Sequence, residues 1–303
     1  MVKNKINYLE EMENVRELFN FITGGRLVVY LTYDQLNARN STDIDSYDIK
    51  IKRYNNGVYK VFKYKNPRKK PSTSIHQKIN LEKRLKLNEN QLEKLEEEQR
   101  RSHIFEVKNL IKDYILCNYF DMFWTLTFDP KQFGGDISDD LAYESMRKWL
   151  HKMRQKHYRK SDMPFNYIAI PERHKSGQIH WHMVTGYWDV NLSDSGKTYK
   201  KQKIYNCLEW DYGFTNVQRM RSKSKVSSYV TKYITKDLLY SPVRKYKRKY
   251  WCSKGLDLPK IYAGNYSDIS KILPLYDENG ELKPNFENDV CDIWLFKSDN
   301  TNK

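Results

Sequence analysis

His180 and His182 stand in the stretch GQIHWHMV with only Trp181 between them, a spacing at which two imidazoles can act together if the backbone is extended. In a strand, side chains at i and i+2 leave the same face, so both rings project one way while Trp181 turns the other way, toward a core. Two imidazoles on one face suit two ligands of a single metal ion, although a histidine-tolerant surface strand carries the same pattern. Glu172, in IAIPERHKSG, lies eight residues before His180, and a tight reversal through Lys175, Ser176 and Gly177 brings its carboxylate back beside the rings. Two nitrogens and one carboxylate leave positions open on a divalent ion for substrate oxygens. His174 is an alternative or additional ligand, and a plain loop histidine is the competing explanation.

A second reactive group follows downstream. VSSYVTKYITKDLL sets Tyr229 and Tyr233 four residues apart, with Lys232 and Lys236 each three residues beyond a tyrosine. On a helix each such pair shares a face. Val226, Val230, Ile234 and Leu238 already supply the apolar stripe of that helix. The tyrosines sit one position round, about 100° away, so they are expected to flank the buried face and present phenol oxygens to a groove. A phenol with a pKa of about 10 is a poor nucleophile at neutral pH. A metal that withdraws charge from the electrophile and a lysine beside the developing charge are what it needs.

Composition narrows the electrophile. The 303 residues carry a net charge of +16, from 54 Lys and Arg against 38 Asp and Glu, with 24 tyrosines and 7 tryptophans interleaved. Such an excess calls for a polyanionic partner. It is also local, since residues 219–260 hold 13 basic and 2 acidic side chains while residues 261–303 hold 4 and 8. Arg219, Arg221, Lys223, Lys225, Arg244, Lys245, Lys247 and Arg248, with Tyr250 and Trp251, suit a nucleic-acid strand, phosphates on the cations and bases on the rings. An anionic membrane is the weaker partner, because MVKNKINYLEEMENV has no apolar leader core and no run approaches the roughly 18 apolar residues of a spanning helix. Cys117, Cys207, Cys252 and Cys291 lie far apart with no CxxC pair, which argues against a disulfide framework or zinc finger and for a reducing cytoplasm. In SDSGKT, residues 193–198, Asn191 stands where a phosphate loop needs its first glycine, so no fused motor is expected.

Positioning these groups takes alternating strands and helices. Residues 1–70 read as a small α+β module: a helix over 6–20, a strand RLVVYLTY, and a hairpin around Asn55, Asn56 and Gly57. Residues 71–118 read as a charged helical connector packed on the next domain, whose heptad of Leu81, Leu85, Leu92 and Leu95 fails at Asn88 and Gln99. Residues 119–240 carry strand DMFWTLTF, helix SDDLAYESMRKWLHKMRQKHYRK with an acidic first and basic last turn, strand FNYIAI, the histidine strand, a helical stretch around KQKIYNCLEW, strand FTNVQRM and the tyrosine helix. The short link between FNYIAI and QIHWHMV makes that pair antiparallel. The fold class is therefore α+β, an antiparallel β-sheet flanked by helices. In FWTLTF, Thr125 and Thr127 share one face and Trp124, Leu126 and Phe128 the other; a core strand is the first expectation, with Asp129 as an extra site residue. Residues 241–303 read as a basic-aromatic segment and an acidic C-terminal tail.

FWTLTF, PERHKSGQIHWHMV and YVTKYITK, in that order over roughly Phe123 to Lys236, resemble the HUH endonuclease superfamily of rolling-circle replication initiators, most of all the paired-tyrosine members of small single-stranded DNA phages and related plasmids. The resemblance implies a Rep nuclease fold of ferredoxin- or RRM-like topology. It implies that His180, His182 and Glu172 hold Mg²⁺ or Mn²⁺ against the scissile phosphate at an origin. Tyr229 or Tyr233 then attacks, with Lys232 and Lys236 near the developing charge, leaving a 5′-phosphotyrosine and a 3′-hydroxyl primer, and the strand is later rejoined without ATP. The implied partners are single-stranded origin DNA, a host helicase and a host polymerase, in the cytoplasm of a bacterial cell. A paired-tyrosine transposase or a relaxase uses the same chemistry on other DNA. From a different class, a non-catalytic nucleic-acid-binding protein would bind in a salt-sensitive way without metal-dependent cleavage.

Overall fold

The computed structural model describes residues 46–55, 57–69, 87–173, 176–222, 226–227, 230, 250–270, 275 and 283–297. The chain divides into two units, Met1–Asn88 with Pro259–Lys303, and Glu89–Leu258.

In the first unit, β1 (Ser46–Arg53) and β2 (Val58–Lys69) form the expected hairpin. Alternation buries Ile49, Ile51, Tyr59 and Val61 on one face. The turn closes through the Tyr54 N–H to the Val58 carbonyl at 2.9 Å, with Gly57 at φ 75° where a side chain would be strained. The helix expected over 6–20 and the strand RLVVYLTY lie outside the described residues.

The second unit opens with α1 (Glu89–Cys117). Its first half is charged and exposed, and the buried stripe is Ile104, Val107, Ile111 and Ile115. Those residues recur at helical spacing. Leu92 and Leu95 are only half-buried, so the failed heptad is not the packing surface. The sheet that follows comprises β3 (Met122–Phe128), β4 (Tyr167–Arg173), β5 (Ile179–Thr185), β6 (Leu192–Tyr199), β7 (Gln202–Cys207), β8 (Gly213–Arg219) and β9 (Trp251–Cys252). Their order is β6-β7-β8-β3-β5-β4-β9, with antiparallel neighbours throughout. Between β3 and β4 runs α2 (Asp139–Tyr158), capped by the Ser138 hydroxyl on the Leu141 amide.

One expected helix is a strand. Residues 202–207, inside KQKIYNCLEW, form β7, hydrogen-bonded to β6 and β8. Lys and Gln favour a helix locally, but pairing with two neighbouring strands outweighs a few tenths of a kcal/mol of propensity, about 0.5 at most per residue. A hairpin thus fills the connection from β5 to β8.

Side-chain alternation splits the sheet into two faces. Trp124, Leu126, Phe128, Ala169, Trp181, Met183 and Val217 pack with Ala142, Met146, Trp149, Leu150 and Met153 of α2. Trp181 is wholly buried there, as the HxH spacing requires. Phe123, Ile168, Ile170 and Val184 leave the opposite face and pack with the α1 stripe and with Val226 and Val230.

The β7–β8 turn is held by Glu209. Its carboxylate pairs with Lys156 of α2 and accepts the Asn191 amide at 3.0 and 3.1 Å. Burial pushes that carboxyl up, but Lys156, the Asn191 amide and Cys207 together hold it below the usual carboxylate range. Burial also pushes the Cys207 thiol up to about 12, so it is inert as a nucleophile. A depressed carboxyl contributes stability above its unfolded pKa of about 4.3 and loses it as pH falls through the folded value. Glu209→Gln is therefore expected to cost about 2 kcal/mol at neutral pH. The gap to wild type should narrow in denaturant melts at about pH 3.

Gly213 begins β8 at φ 150°, where an added Cβ would lie 2.5 Å from both the Asp129 nitrogen and the Thr127 carbonyl oxygen. Both obstacles are backbone at the end of β3. Gly213→Ala is expected to destabilise the unit by about 2–3 kcal/mol, read as a lower urea midpoint.

The chain returns to the first unit through β10 (Lys260–Gly264), the short helix α3 (Tyr266–Ile269), β11 (Phe286–Glu287) and β12 (Cys291–Lys297). The order is β10-β1-β2-β12-β11, again antiparallel. Where composition suggested an acidic tail, CDIWLFK is a strand that buries Trp294 beside Ile51 and Val61. The acidic residues around it hide a short apolar alternation that only its partner strand reveals. No described helix is long and apolar enough to cross a membrane.

Candidate active site

His182 sits on the α1 side of the sheet, 5% exposed and fixed at both ring nitrogens. Its Nε2 lies 2.8 Å from Glu172 Oε2, and its Nδ1 lies 3.2 Å from Thr125 Oγ1. A neutral ring that donates from Nε2 to the carboxylate accepts the threonine hydroxyl at Nδ1. The Phe123 ring lies parallel to the imidazole, 6.0 Å away between centroids. Strand register explains the meeting: Thr125 faces His182 across β3 and β5, Thr127 faces His180, and Glu172 on β4 faces His180. His180, half-buried, shares that face two residues from His182.

The end of the β4–β5 hairpin is anchored to the start of α2. Arg173 donates to both oxygens of Asp139, at 3.1 and 2.6 Å, and to the Gly177 carbonyl at 2.7 Å. Gln178 donates to Asp136 at 2.6 Å. These bonds fix the strand ends that carry Glu172 and His180. His174 lies outside the described residues.

Nitrogen and carboxylate donors of this kind match a divalent ion in type. Among the described residues, however, no three His, Cys, Asp or Glu side chains gather as a metal group, and Glu172 and His182 are bonded directly to one another.

Tyr229, Tyr233, Lys232 and Lys236 lie outside the described residues, as do Lys223, Lys225, Arg244, Lys245, Lys247 and Arg248. Of the same segment, Val226, Ser227 and Val230 are helical. Val230 is completely buried against the apolar side chains of the histidine face, Ile168, Ile170, Val184 and Phe123 among them. Arg219 and Arg221 are exposed. The Arg219 carbonyl accepts Gln202 Nε2 at 2.9 Å, and Arg221 Nη2 donates to the Lys201 carbonyl at 3.3 Å. Tyr250 is half-buried against the α1-side core. The Trp251 ring rests 4.8 Å from Trp181 and 5.7 Å from Tyr143, so it is engaged by the core. Asp129 caps the short helical turn Pro130–Phe133, accepting the Lys131 amide at 3.1 Å.

Thr125 is the site residue that sequence reasoning placed in a core strand first. The signal was present in FWTLTF, where it alternates with three core residues. Spacing could not show which partner its hydroxyl would meet.

Together these features define an α+β protein whose antiparallel sheet bears a buried histidine–carboxylate pair on one face, with helical residues packed beside it. Residues 121–238 match the family model of the ORF2-type replication-associated proteins, a span that takes in the strands carrying Thr125, Glu172 and His182 and the whole YVTKYITK motif. The match supports a protein of the replication-initiator type. No curated protein and no solved structure matches the chain.

Proposed function

We propose that the chain initiates rolling-circle replication by nicking single-stranded DNA at an origin and later rejoining it. The observation that carries this reading is His182, held at both ring nitrogens by Glu172 and Thr125 on the sheet face where Val226 and Val230 pack. Those valines belong to the segment with the two tyrosines, and the family match spans both motifs.

In this reading the phenol oxygen of Tyr229 or Tyr233 bonds to the scissile phosphorus, and the bond from phosphorus to the 3′ oxygen breaks. The tyrosine proton is given up to solvent, and the departing oxygen takes a proton to become a 3′-hydroxyl. The 5′ end stays on the tyrosine as a phosphodiester, so its energy is kept for rejoining. His180, His182 and Glu172 would hold Mg²⁺ or Mn²⁺, which supplies positive charge to the non-bridging phosphate oxygens. Thr125 and Glu172 keep the His182 ring from rotating, the orienting role that hydrogen bonds to a ligand histidine perform. Lys232 and Lys236 add positive charge near the attacking oxygen. The new 3′ end primes a host polymerase while a host helicase opens the duplex, in the cytoplasm of a bacterial cell.

The test is incubation of the protein with labelled single-stranded origin DNA and Mg²⁺, followed by denaturing electrophoresis. A labelled protein–DNA adduct that forms with Mg²⁺ and is absent with EDTA is the expected result. Salt-sensitive binding with no adduct under either condition would overturn the nickase reading in favour of a binding protein.

A further inference from the structure

The β6–β7 ribbon has no part in the chemistry above, yet its turn is built against local preference. Thr198 pairs with Lys203 and Tyr199 with Gln202, leaving a two-residue loop of Lys200 and Lys201 with φ of 48° and 63°. Both are left-handed, the positions of a type I′ turn that Asn-Gly fills with least strain. Strain of this kind, here held by two lysines, collects at functional positions. The ribbon is also secured from the side, by Gln202 Nε2 to the Arg219 carbonyl and Arg221 Nη2 to the Lys201 carbonyl.

Residues 192–203 contain four lysines and one aspartate. That aspartate, Asp194, is bonded to Lys203 at 2.8 Å, which leaves Lys197, Lys200 and Lys201 exposed toward the tip. A register shift between Asp194 and Thr198, with Gly196 at φ 73°, adds twist to the ribbon.

We infer that the β6–β7 hairpin is an anchor for double-stranded DNA, with Lys200 and Lys201 placed on backbone phosphates across a groove. A twisted two-stranded ribbon fits the major groove, which is about 12 Å wide. Stacking on a single strand is the less suitable use, because the Lys200 ammonium lies 5.4 Å from the Tyr199 ring centroid and covers that exposed ring. The inference rests on the initiator reading only for the choice of DNA as the polyanion.

The decisive variant is Lys200→Asn with Lys201→Gly, which removes two charges and installs the preferred turn. Anisotropy titrations on a short blunt-ended duplex and on one of its strands, without divalent ion, are run beside thermal melts. The melting temperature should hold or rise, while duplex affinity at low salt falls about tenfold and the salt dependence becomes shallower by about two, near 0.9 for each phosphate no longer neutralised. Single-strand affinity should change less than about twofold, and Lys200→Arg with Lys201→Arg should keep duplex binding. Unchanged duplex affinity, equal losses on both DNA forms, or a wild-type protein that ignores duplex would each overturn the inference. Should the Asn-Gly variant melt lower, Lys200→Gln with Lys201→Gln repeats the comparison on the existing turn. Because binding is read without cleavage, a protein that fails to nick leaves this proposal standing and sinks the nickase reading alone.

Discussion

Replacing Tyr229 and Tyr233 together by Phe is expected to abolish covalent capture of single-stranded origin DNA, a loss of at least about 10⁴-fold, in line with removal of a nucleophile from a covalent mechanism. Each substitution deletes one oxygen and keeps the ring. Val226 and Val230, which pack on the sheet, are untouched, so the melting temperature should stay within a few degrees of wild type. The two single variants carry further information, because a tyrosine that only packs would leave capture unaltered. If either phenol can attack, each single variant retains part of the adduct and the double variant none. Undiminished capture by the double variant would remove both tyrosines from the mechanism.

The next largest effect is expected at His182. Its ring is bonded at both nitrogens and buried, so His182→Ala removes a positioned donor and leaves Glu172 Oε2 and Thr125 Oγ1 without the imidazole they bond to. Cleavage of single-stranded DNA should fall by about 10³-fold, the order found when one preorganised electrostatic group is removed. Stability should drop by about 1–3 kcal/mol, from the broken hydrogen bonds and the void. A double-mutant cycle with Glu172→Ala separates the two roles. If the residues act as one unit, the double variant cleaves no more slowly than the worse single variant, whereas independent roles would give additive losses. Duplex binding through the β6–β7 ribbon should stay within about twofold, since neither residue belongs to it.

How much of this was legible depended on range along the chain. The hairpin at 54–58, the antiparallel β4–β5 pair and the two faces of FWTLTF follow from alternation and turn chemistry within a dozen residues. The shared face of His180 and His182, and the burial of Trp181, follow from the strand period alone. Glu172 was legible as a neighbour because only a short turn separates β4 from β5. What failed were readings that needed a distant partner. KQKIYNCLEW looked helical until paired with β6 and β8, and CDIWLFK looked like part of an acidic tail until laid beside β2. The leucines before Asn88 and Gln99 suggested a packing stripe that belongs instead to Ile104, Val107, Ile111 and Ile115.

By itself, then, the sequence determined an α+β class, a strongly basic chain, and two reactive motifs with the faces their side chains share. Tertiary structure decided which groups touch: Thr125 on one nitrogen of His182, Glu172 on the other, Val230 against the same sheet face, and two lysines at the tip of a ribbon. Periodicity is a property of one segment and fixes direction, whereas contact requires the register between segments, and register is set by the burial of both sheet faces at once.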